Sequence, residues 1–293
     1  GTVLPASVAT GLDFTFNSIS IGKGANSVSG NTVLGESALD AAVTGGSNTA
    51  IGQNALTTNT SGSNNTAVGN EALELNTTGA ANVAVGLRAL EANTTGSSNV
   101  GLGRDALRAN TTASNNVAVG TDALTANTTG ENNTGVGFET LKTNTDGFHN
   151  TAIGYNALKD HNGANSNTAV GSLSLENSTS GLQNTAVGNQ SMQTLTTGTR
   201  NVAIGHQSML SATEAERNTA VGLETLSLLT TGDRNVAVGQ NALYANTTAD
   251  NNTAVGALAL TANTTGTNNV AVGANALDAN TTGSSNVSFG RNS

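Results

Sequence analysis

Apolar residues recur along this chain at a fixed interval of seventeen residues. Residues 65–69 read Asn-Thr-Ala-Val-Gly, and residues 82–86 repeat them as Asn-Val-Ala-Val-Gly. The interval holds without insertion or deletion from Gly35 to Gly290, through sixteen marked glycines. A self-similarity of this length and strictness is typical of a solenoid, in which each repeat is one coil stacked on the next.

Each position of the repeat has its own residue preference. Asn stands four residues before every marked glycine and is followed by Thr or Val. A small residue comes next, except at Val33, and then Val, Ile or Leu, except at Phe289. Leu or Met stands four residues after the glycine. The short β-branched alternation predicts a strand, and the following Asn-Thr-Thr-Gly predicts a turn. The fold class is therefore all-β: a parallel β-solenoid of seventeen-residue coils, whose Val/Ile and Leu rows we expect to form two buried ridges.

The unbroken asparagine column predicts a structural ladder of stacked side-chain amides, because such a ladder satisfies polar groups inside the turns. A row of ligand-binding amides on the surface is the alternative. A second asparagine position, represented by Asn144, also holds Ala42, Ser178, Leu195 and Leu229, so we expect its replacement to cost less than that of Asn150. The ladder residues are Asn48, Asn65, Asn82, Asn99, Asn116, Asn133, Asn150, Asn167, Asn184, Asn201, Asn218, Asn235, Asn252, Asn269 and Asn286.

The small residue in the middle of each predicted strand implies that something approaches the backbone closely there. That neighbour is either a second sheet of the same coil or another chain at a symmetry axis. Because a single two-ridged coil is thin, we expect side-by-side association into a parallel homotrimer.

Both ends of the chain differ from the repeat. Residues 1–30 are predicted to be an N-terminal cap and lead-in coil, and residues 31–293 the seventeen-residue-repeat shaft. Within the cap, residues 12–16 alternate as a strand, and residues 18–22 are interpreted as a shorter first coil. The chain starts at Gly1, which indicates processing or a fragment. Because no cap follows Gly290, we expect further chain or another subunit at Ser293.

The amino-acid composition excludes several classes of function. Aromatic residues make up 2% and charged residues 10% of the chain, as expected for a thin coil that holds only small and medium side chains. The net charge of −9, with three lysines, argues against nucleic acid or an anionic membrane as a partner. No apolar run is long enough for a transmembrane span, and no cysteine is present. We expect no membrane insertion, no disulfide and no cofactor.

The motif Asn-Thr-Ala-Val-Gly-x-x-Ala-Leu resembles the head repeats of trimeric autotransporter adhesins of the YadA type. It is more similar still to repeat arrays in phage tail-fibre and tail-fibre-like proteins. The likeness covers about residues 18–293, although this coil has seventeen residues where the adhesin heads have about fourteen. The resemblance implies a left-handed, trimeric, extracellular or virion-borne shaft.

Candidate chemistry is sparse. No repeat pairs carboxylates, histidines or nucleophiles in a catalytic arrangement, so we predict that the chain is not an enzyme and holds no metal. An aromatic and histidine cluster suggests a glycan-stacking patch, for which drift at solvent positions is the alternative. Arg200, Arg217 and Arg234 share one column that could bind anionic saccharide or pair with Glu216 and Asp233. The patch residues are Phe138, Phe148, His149, Tyr155 and His161.

These observations favour a stiff spacer in an attachment fibre, with a cell-surface glycan as a candidate ligand. A self-assembling extracellular filament subunit that stacks end to end is the first alternative. An ice-binding solenoid is the second, because stacked Thr-Thr turns could form a regular face. The adjacent threonines of each turn should point apart, which disfavours it.

Overall fold

The computed structural model describes residues 13–293, so the predicted strand position Leu12 lies outside the described residues. The described residues divide into two compact units, residues 13–132 and 133–293. The strands of the first unit are β1 (Phe14–Phe16), β2 (Ile19–Gly22), β3 (Thr32–Gly35), β4 (Thr49–Ile51), β5 (Thr66–Val68), β6 (Val83–Val85), β7 (Val100–Leu102) and β8 (Val117–Val119). Those of the second are β9 (Thr134–Val136), β10 (Thr151–Ile153), β11 (Thr168–Val170), β12 (Thr185–Val187), β13 (Val202–Ile204), β14 (Thr219–Val221), β15 (Val236–Val238), β16 (Thr253–Val255), β17 (Val270–Val272) and β18 (Val287–Phe289).

Each unit is a parallel β-solenoid, which confirms the predicted fold class. From β3 to β8 in the first unit and from β9 to β18 in the second, successive strands pair in parallel with a register of seventeen residues, as Thr66 with Val83 and Thr151 with Thr168. The turns are bonded between coils as well: the amide of Leu73 donates to the carbonyl of Ala89 at 3.0 Å. Most of the coil backbone is therefore hydrogen-bonded to a neighbouring coil, not only the strand residues.

The lead-in segment differs from its predicted form. Strand β2 pairs antiparallel with β3, and β1 pairs antiparallel with β2, so residues 18–22 form part of a short meander and not a first parallel coil. The prediction of a shorter first coil was wrong. The carboxylate of Asp13 accepts the amides of Lys23 and Gly24 at 2.6 and 2.7 Å, which fixes the end of β2. The meander covers the edge of β3 that would otherwise be unpaired.

The face of each strand that was predicted to be buried is exposed, and the opposite face is buried. The Leu row is buried as expected up to Leu260, for example Leu73 and Leu90 at 0% exposure, and only its last member is half-buried. The Val/Ile row, however, is nowhere buried, and Val85 is 39% exposed. The small column faces inward instead: a β-carbon added at Gly101 would lie 3.4 Å from the side chain of Leu90. The close approach predicted for this column therefore comes from the same chain, and the column gives no support to a symmetry axis.

The marked glycines are required by geometry. Gly69 has a φ of 141°, and a β-carbon there would lie 2.4 Å from the carbonyl oxygen of Gly86 in the next coil. Side-chain-bearing residues also adopt left-handed backbone angles in each coil, as at Glu71, Leu73 and Ala81 with φ of 59°, 51° and 59°. Such angles cost on the order of 1 kcal/mol for an ordinary residue, and asparagine adopts them more readily.

The left-handed position of Ala81 allows a test of this backbone geometry. The same repeat position is occupied by Asn64 and Asn115, both at positive φ. Ala81→Asn should stabilise the first unit by up to about 1 kcal/mol, because asparagine tolerates this conformation better than alanine. Ala80→Asn, one residue earlier and outside the left-handed region, should give no such gain. Amide hydrogen exchange of residues 70–100 is the measurement, and equal protection in both variants would contradict the assigned angles.

Candidate functional site

The predicted asparagine column lies inside the coils. Its members from Asn48 to Asn269 are essentially unexposed, and only Asn286 is partly open to solvent. The side-chain carbonyl of Asn65 accepts the backbone amide of Asn82 at 3.0 Å. The side-chain NH₂ of Asn65 donates to the carbonyl of Gly79 at 2.9 Å. The ladder thus alternates side-chain and backbone groups, whereas sequence reasoning expected side-chain amides bonded mainly to each other. Since it is buried, it is not a surface row for ligands.

A second ladder, at the Asn144 position, was not recognised from the sequence. Asn76 and Asn93 are fully buried, and the NH₂ of Asn93 donates to the side-chain carbonyl of Asn76 at 2.8 Å. The same NH₂ donates to the carbonyl of Gly96 at 3.0 Å, where Asn82 also donates at 2.9 Å. One backbone carbonyl therefore accepts two side-chain amides. The signal in the sequence was the asparagine that opens the Asn-Thr-Thr-Gly turn.

The second ladder is interrupted where Leu195, Ala212 and Leu229 replace asparagine. In those coils the first ladder still satisfies the turn carbonyl, as Asn201 does for Ala215 at 2.7 Å. The NH₂ of Asn201 also reaches the side-chain carbonyl of Asn184 at 3.1 Å. Loss of the second donor is thus tolerated because the turn carbonyl keeps one partner.

The members of the predicted glycan patch do not form one surface. Phe138 and Tyr155 stack with ring centroids 5.6 Å apart and lie just after their strands. Phe148 and His149 meet edge to face at 5.1 Å and lie just before the next strand. His161 is fully buried in the second ladder, so its assignment to an exposed patch was wrong. A histidine in an asparagine column can replace the amide donor, which the spacing from Asn144 could have indicated.

The Nε2 of His161 donates to the carbonyl of Ala164 at 2.8 Å, the same carbonyl to which the NH₂ of Asn150 donates at 2.9 Å. A carbonyl oxygen can only accept, so Nε2 is the nitrogen that carries the proton when the ring is neutral. Burial lowers the pKa of His161 below 6.5, and the backbone contacts with Ala164 and Ser178 oppose this only partly. The imidazole is therefore neutral in the folded chain at pH 7.

Two of the three arginines, Arg200 and Arg217, have different partners. The Nε of Arg200 donates to the side-chain carbonyl of Gln183 at 3.2 Å, and Arg217 lies 3.6 Å from the carboxylate of Glu216. The carboxylate of Asp233 instead accepts the backbone amide of Glu216 at 2.7 Å. The predicted pairing therefore holds for Glu216, while Asp233 bonds the turn of the preceding coil.

The turn threonines are hydrogen-bonded along the stack. The hydroxyl of Thr77 donates to the carbonyl of Thr94 at 3.0 Å, and that of Thr94 donates to the carbonyl of Thr111 at 3.0 Å. The second threonine of the turn, such as Thr78, is exposed. One of the two threonine hydroxyls in each such turn therefore donates to a carbonyl of the neighbouring coil and is not available to an ice-binding face.

Three carboxylates approach one another in the first unit. Oxygen atoms of Glu71, Glu74 and Glu91 lie within 4.8 Å of one another, and Glu91 pairs with Arg108 at 2.8 Å. Partial burial, and then the charges of Glu71 and Glu91, raise the pKa of Glu74. The Arg108 pair offsets part of the repulsion, as expected for a half-exposed charged face.

Comparison with known proteins gives no further identification. No family model matches the chain, and no curated protein is similar to it in sequence. Within residues 13–293, no helix has the length and apolar character to cross a membrane.

The two ladders should differ in their contribution to stability. Asn150→Ala removes the acceptor for the amide of Asn167 and one of two donors to Ala164, and we expect a local loss of about 1–3 kcal/mol. Asn144→Ala should cost less, because the carbonyl of Gly147 keeps its bond from Asn133. Thr197→Ala, at an exposed turn position, is the control. Hydrogen exchange of the second unit measures all three, and equal losses at Asn150 and Asn144 would refute the ranking.

Stability should depend on pH through His161. Its folded pKa is lowered, so the unfolded chain binds the proton more tightly, and stability is lost as the pH falls below about 6.5. Above that value the group contributes no pH dependence. His161→Asn restores the ladder residue and should flatten the melting temperature between pH 6.5 and pH 5. A variant Thr197→Ala, at an exposed turn position, should keep the wild-type slope. An unchanged slope in His161→Asn would reject the assignment.

Proposed function

We propose that the chain is the structural shaft of an attachment fibre, in which three copies associate side by side. The observation that carries this proposal is the outward face of the strands. Two positions of every coil point outward, one Thr or Val and the other Val, Ile, Leu or Phe. None of them is buried in either unit, and none is charged.

This outward face, called here the aliphatic stripe, is the two outward positions of β3–β8 in the first unit and of β9–β18 in the second. Val85, Ile153, Ile204 and Val255 are each 37–40% exposed on it. Single exposed aliphatic residues are ordinary, but an uninterrupted row is not, and contiguous patches of this kind mark interaction surfaces. The stripe is therefore the surface along which a partner is expected.

A second copy of the chain is the partner that fits the stripe. Its side chains repeat at the spacing of paired strands, about 4.8 Å, in every coil. Rows with that spacing interdigitate with a surface of equal spacing, and an identical chain in parallel register supplies one. The absence of charge over the whole stripe also suits contact with a copy of itself, because no like charges face each other.

Mechanically, the chain acts as a spacer and not as a catalyst. Coil-to-coil hydrogen bonds in strands and turns make local opening costly, which suits a stiff, protease-resistant spacer. The resemblance of the repeats to tail-fibre arrays and YadA-type heads supports the same role at a virion or cell surface. A filament that stacks end to end would need the coil ends, not the stripe, as its interface.

The stripe gives a direct test of association. The wild-type chain should sediment at about three times its 28.9 kDa mass. Val85→Asp combined with Ile153→Asp should weaken association at least tenfold, because each substitution buries an unpaired charge in the interface. Both side chains point outward, so the circular dichroism spectrum should not change.

The control is Thr95→Asp combined with Thr197→Asp, which adds the same charges at exposed turn positions. It should associate like the wild type. A wild-type chain that stays monomeric at high concentration would refute the proposal, and end-to-end growth unaffected by the stripe variant would favour the filament.

A further inference from the structure

One shallow groove in the second unit lies where exposed apolar and polar side chains meet. It is lined by Phe148, Asn165, Ser166, Leu182, Gln183 and Arg200. Phe148, Asn165 and Leu182 occupy the same repeat position in three successive coils. The groove exists because a short asparagine stands between two large side chains, Phe148 and Leu182, which are 43% and 40% exposed.

The dimensions of the groove suit one sugar ring. Phe148 and Leu182 are two coils apart, which corresponds to about 10 Å between their backbones. The ring of Phe148 is held edge to face by His149 at 5.1 Å. A pyranose stacks its C–H face on such an aromatic ring, and Leu182 closes the opposite side.

The polar groups of the groove are oriented by the coils. The side-chain carbonyl of Asn165 accepts the amide of Phe148 at 2.8 Å, so its NH₂ is directed away from that bond. Gln183 holds the Nε of Arg200 at 3.2 Å, and the backbone amide of Arg200 donates to the carbonyl of Leu182 at 3.0 Å. The Nε of Arg200 is thus held beside Gln183, and the side chain lines the edge of the groove.

Arg200 also lacks a carboxylate partner. Among residues 13–293, no Asp or Glu lies within ion-pair distance of it, whereas Arg217 in the same column lies 3.6 Å from Glu216. Its two terminal NH₂ groups can donate in parallel to a carboxylate of a ligand. The groove therefore combines an apolar wall, an amide donor and an uncompensated cation.

We propose that this groove binds a uronic acid residue of an acidic polysaccharide. The pyranose ring stacks on Phe148, its carboxylate pairs with Arg200, and its hydroxyls bond Asn165 and Gln183. The inference rests on the proposed attachment function and identifies the class of surface ligand. It also assigns Phe148 and Arg200, which sequence reasoning placed in two separate candidate sites, to a single one.

The test is calorimetric titration of the full chain with an oligogalacturonate of defined length. The wild type should bind saturably, and the same oligosaccharide with its carboxyl groups reduced should bind at least tenfold more weakly. Phe148→Ser and Arg200→Asn should each weaken binding at least tenfold. Both substitutions copy residues found at these repeat positions elsewhere, Ser114 and Asn115, so the coil should fold normally.

Matched controls separate this site from general surface effects. Arg234→Asn removes a charge from the same column two coils further on, and Phe138→Ser removes an exposed aromatic residue from the other pair. Both should bind like the wild type. No binding by the wild type, equal binding of the reduced oligosaccharide, or equal loss in Arg234→Asn would each overturn the proposal.

Sedimentation of the same samples keeps the two proposals distinct. A chain that associates into trimers but does not bind oligogalacturonate overturns the groove assignment alone. A chain that binds it as a monomer overturns the trimeric shaft alone.

Discussion

The structure depends on satisfying one buried backbone carbonyl in every coil. In a coil this thin, the turn before each strand folds its polar backbone inward, where water cannot reach it. An unpaired carbonyl there would cost about 1–3 kcal/mol, and the cost would recur in each coil. The carbonyl of Gly79 accepts amides from both Asn65 and Asn76, which uses both of its lone pairs. The asparagine columns follow from that requirement.

The same thinness accounts for the rest of the interior. Once two asparagines occupy the turn side, the remaining volume holds one Leu or Met and two small residues, such as Leu73, Ala67 and Ala72. Larger β-branched side chains are left to the outward face of the strand. The aliphatic stripe is thus a consequence of interior volume, and it supplies the surface that the proposed association uses.

The sequence was sufficient for the fold class, the period, the strands and the first ladder, because each of these is expressed as a column of similar residues. It could not show which face of the strand is inside. Side chains alternate between the two faces of a strand, so Ala67 lies on one face and Thr66 and Val68 lie on the other. Both faces carry apolar residues, and the larger side chains, Val and Ile, were wrongly assigned to the core. The left-handed angles at Leu73 and Glu71 were also hidden, because neither residue type favours them.

The candidate site, too, could be predicted only in part from the sequence. Sequence spacing identified Phe148 and Arg200 as unusual, yet it placed buried His161 beside exposed Phe138, since linear proximity does not separate the inside of a coil from its outside. The groove depends on a residue that is unremarkable alone, Asn165, standing between two large ones in adjacent coils. Such a gap is visible only when the repeats are stacked.

The fixed seventeen-residue register has a consequence for how such a chain can change over time. Because Asn82 relates to Asn65 as Asn99 relates to Asn82, an in-frame duplication or deletion of one repeat would regenerate the same bonds at the junction. Unequal recombination between neighbouring repeats of the gene would then change the number of coils without causing a folding defect. The number of coils is then a heritable property that selection can change one repeat at a time. A groove formed by particular residues on adjacent coils is either kept whole or lost whole in such an event.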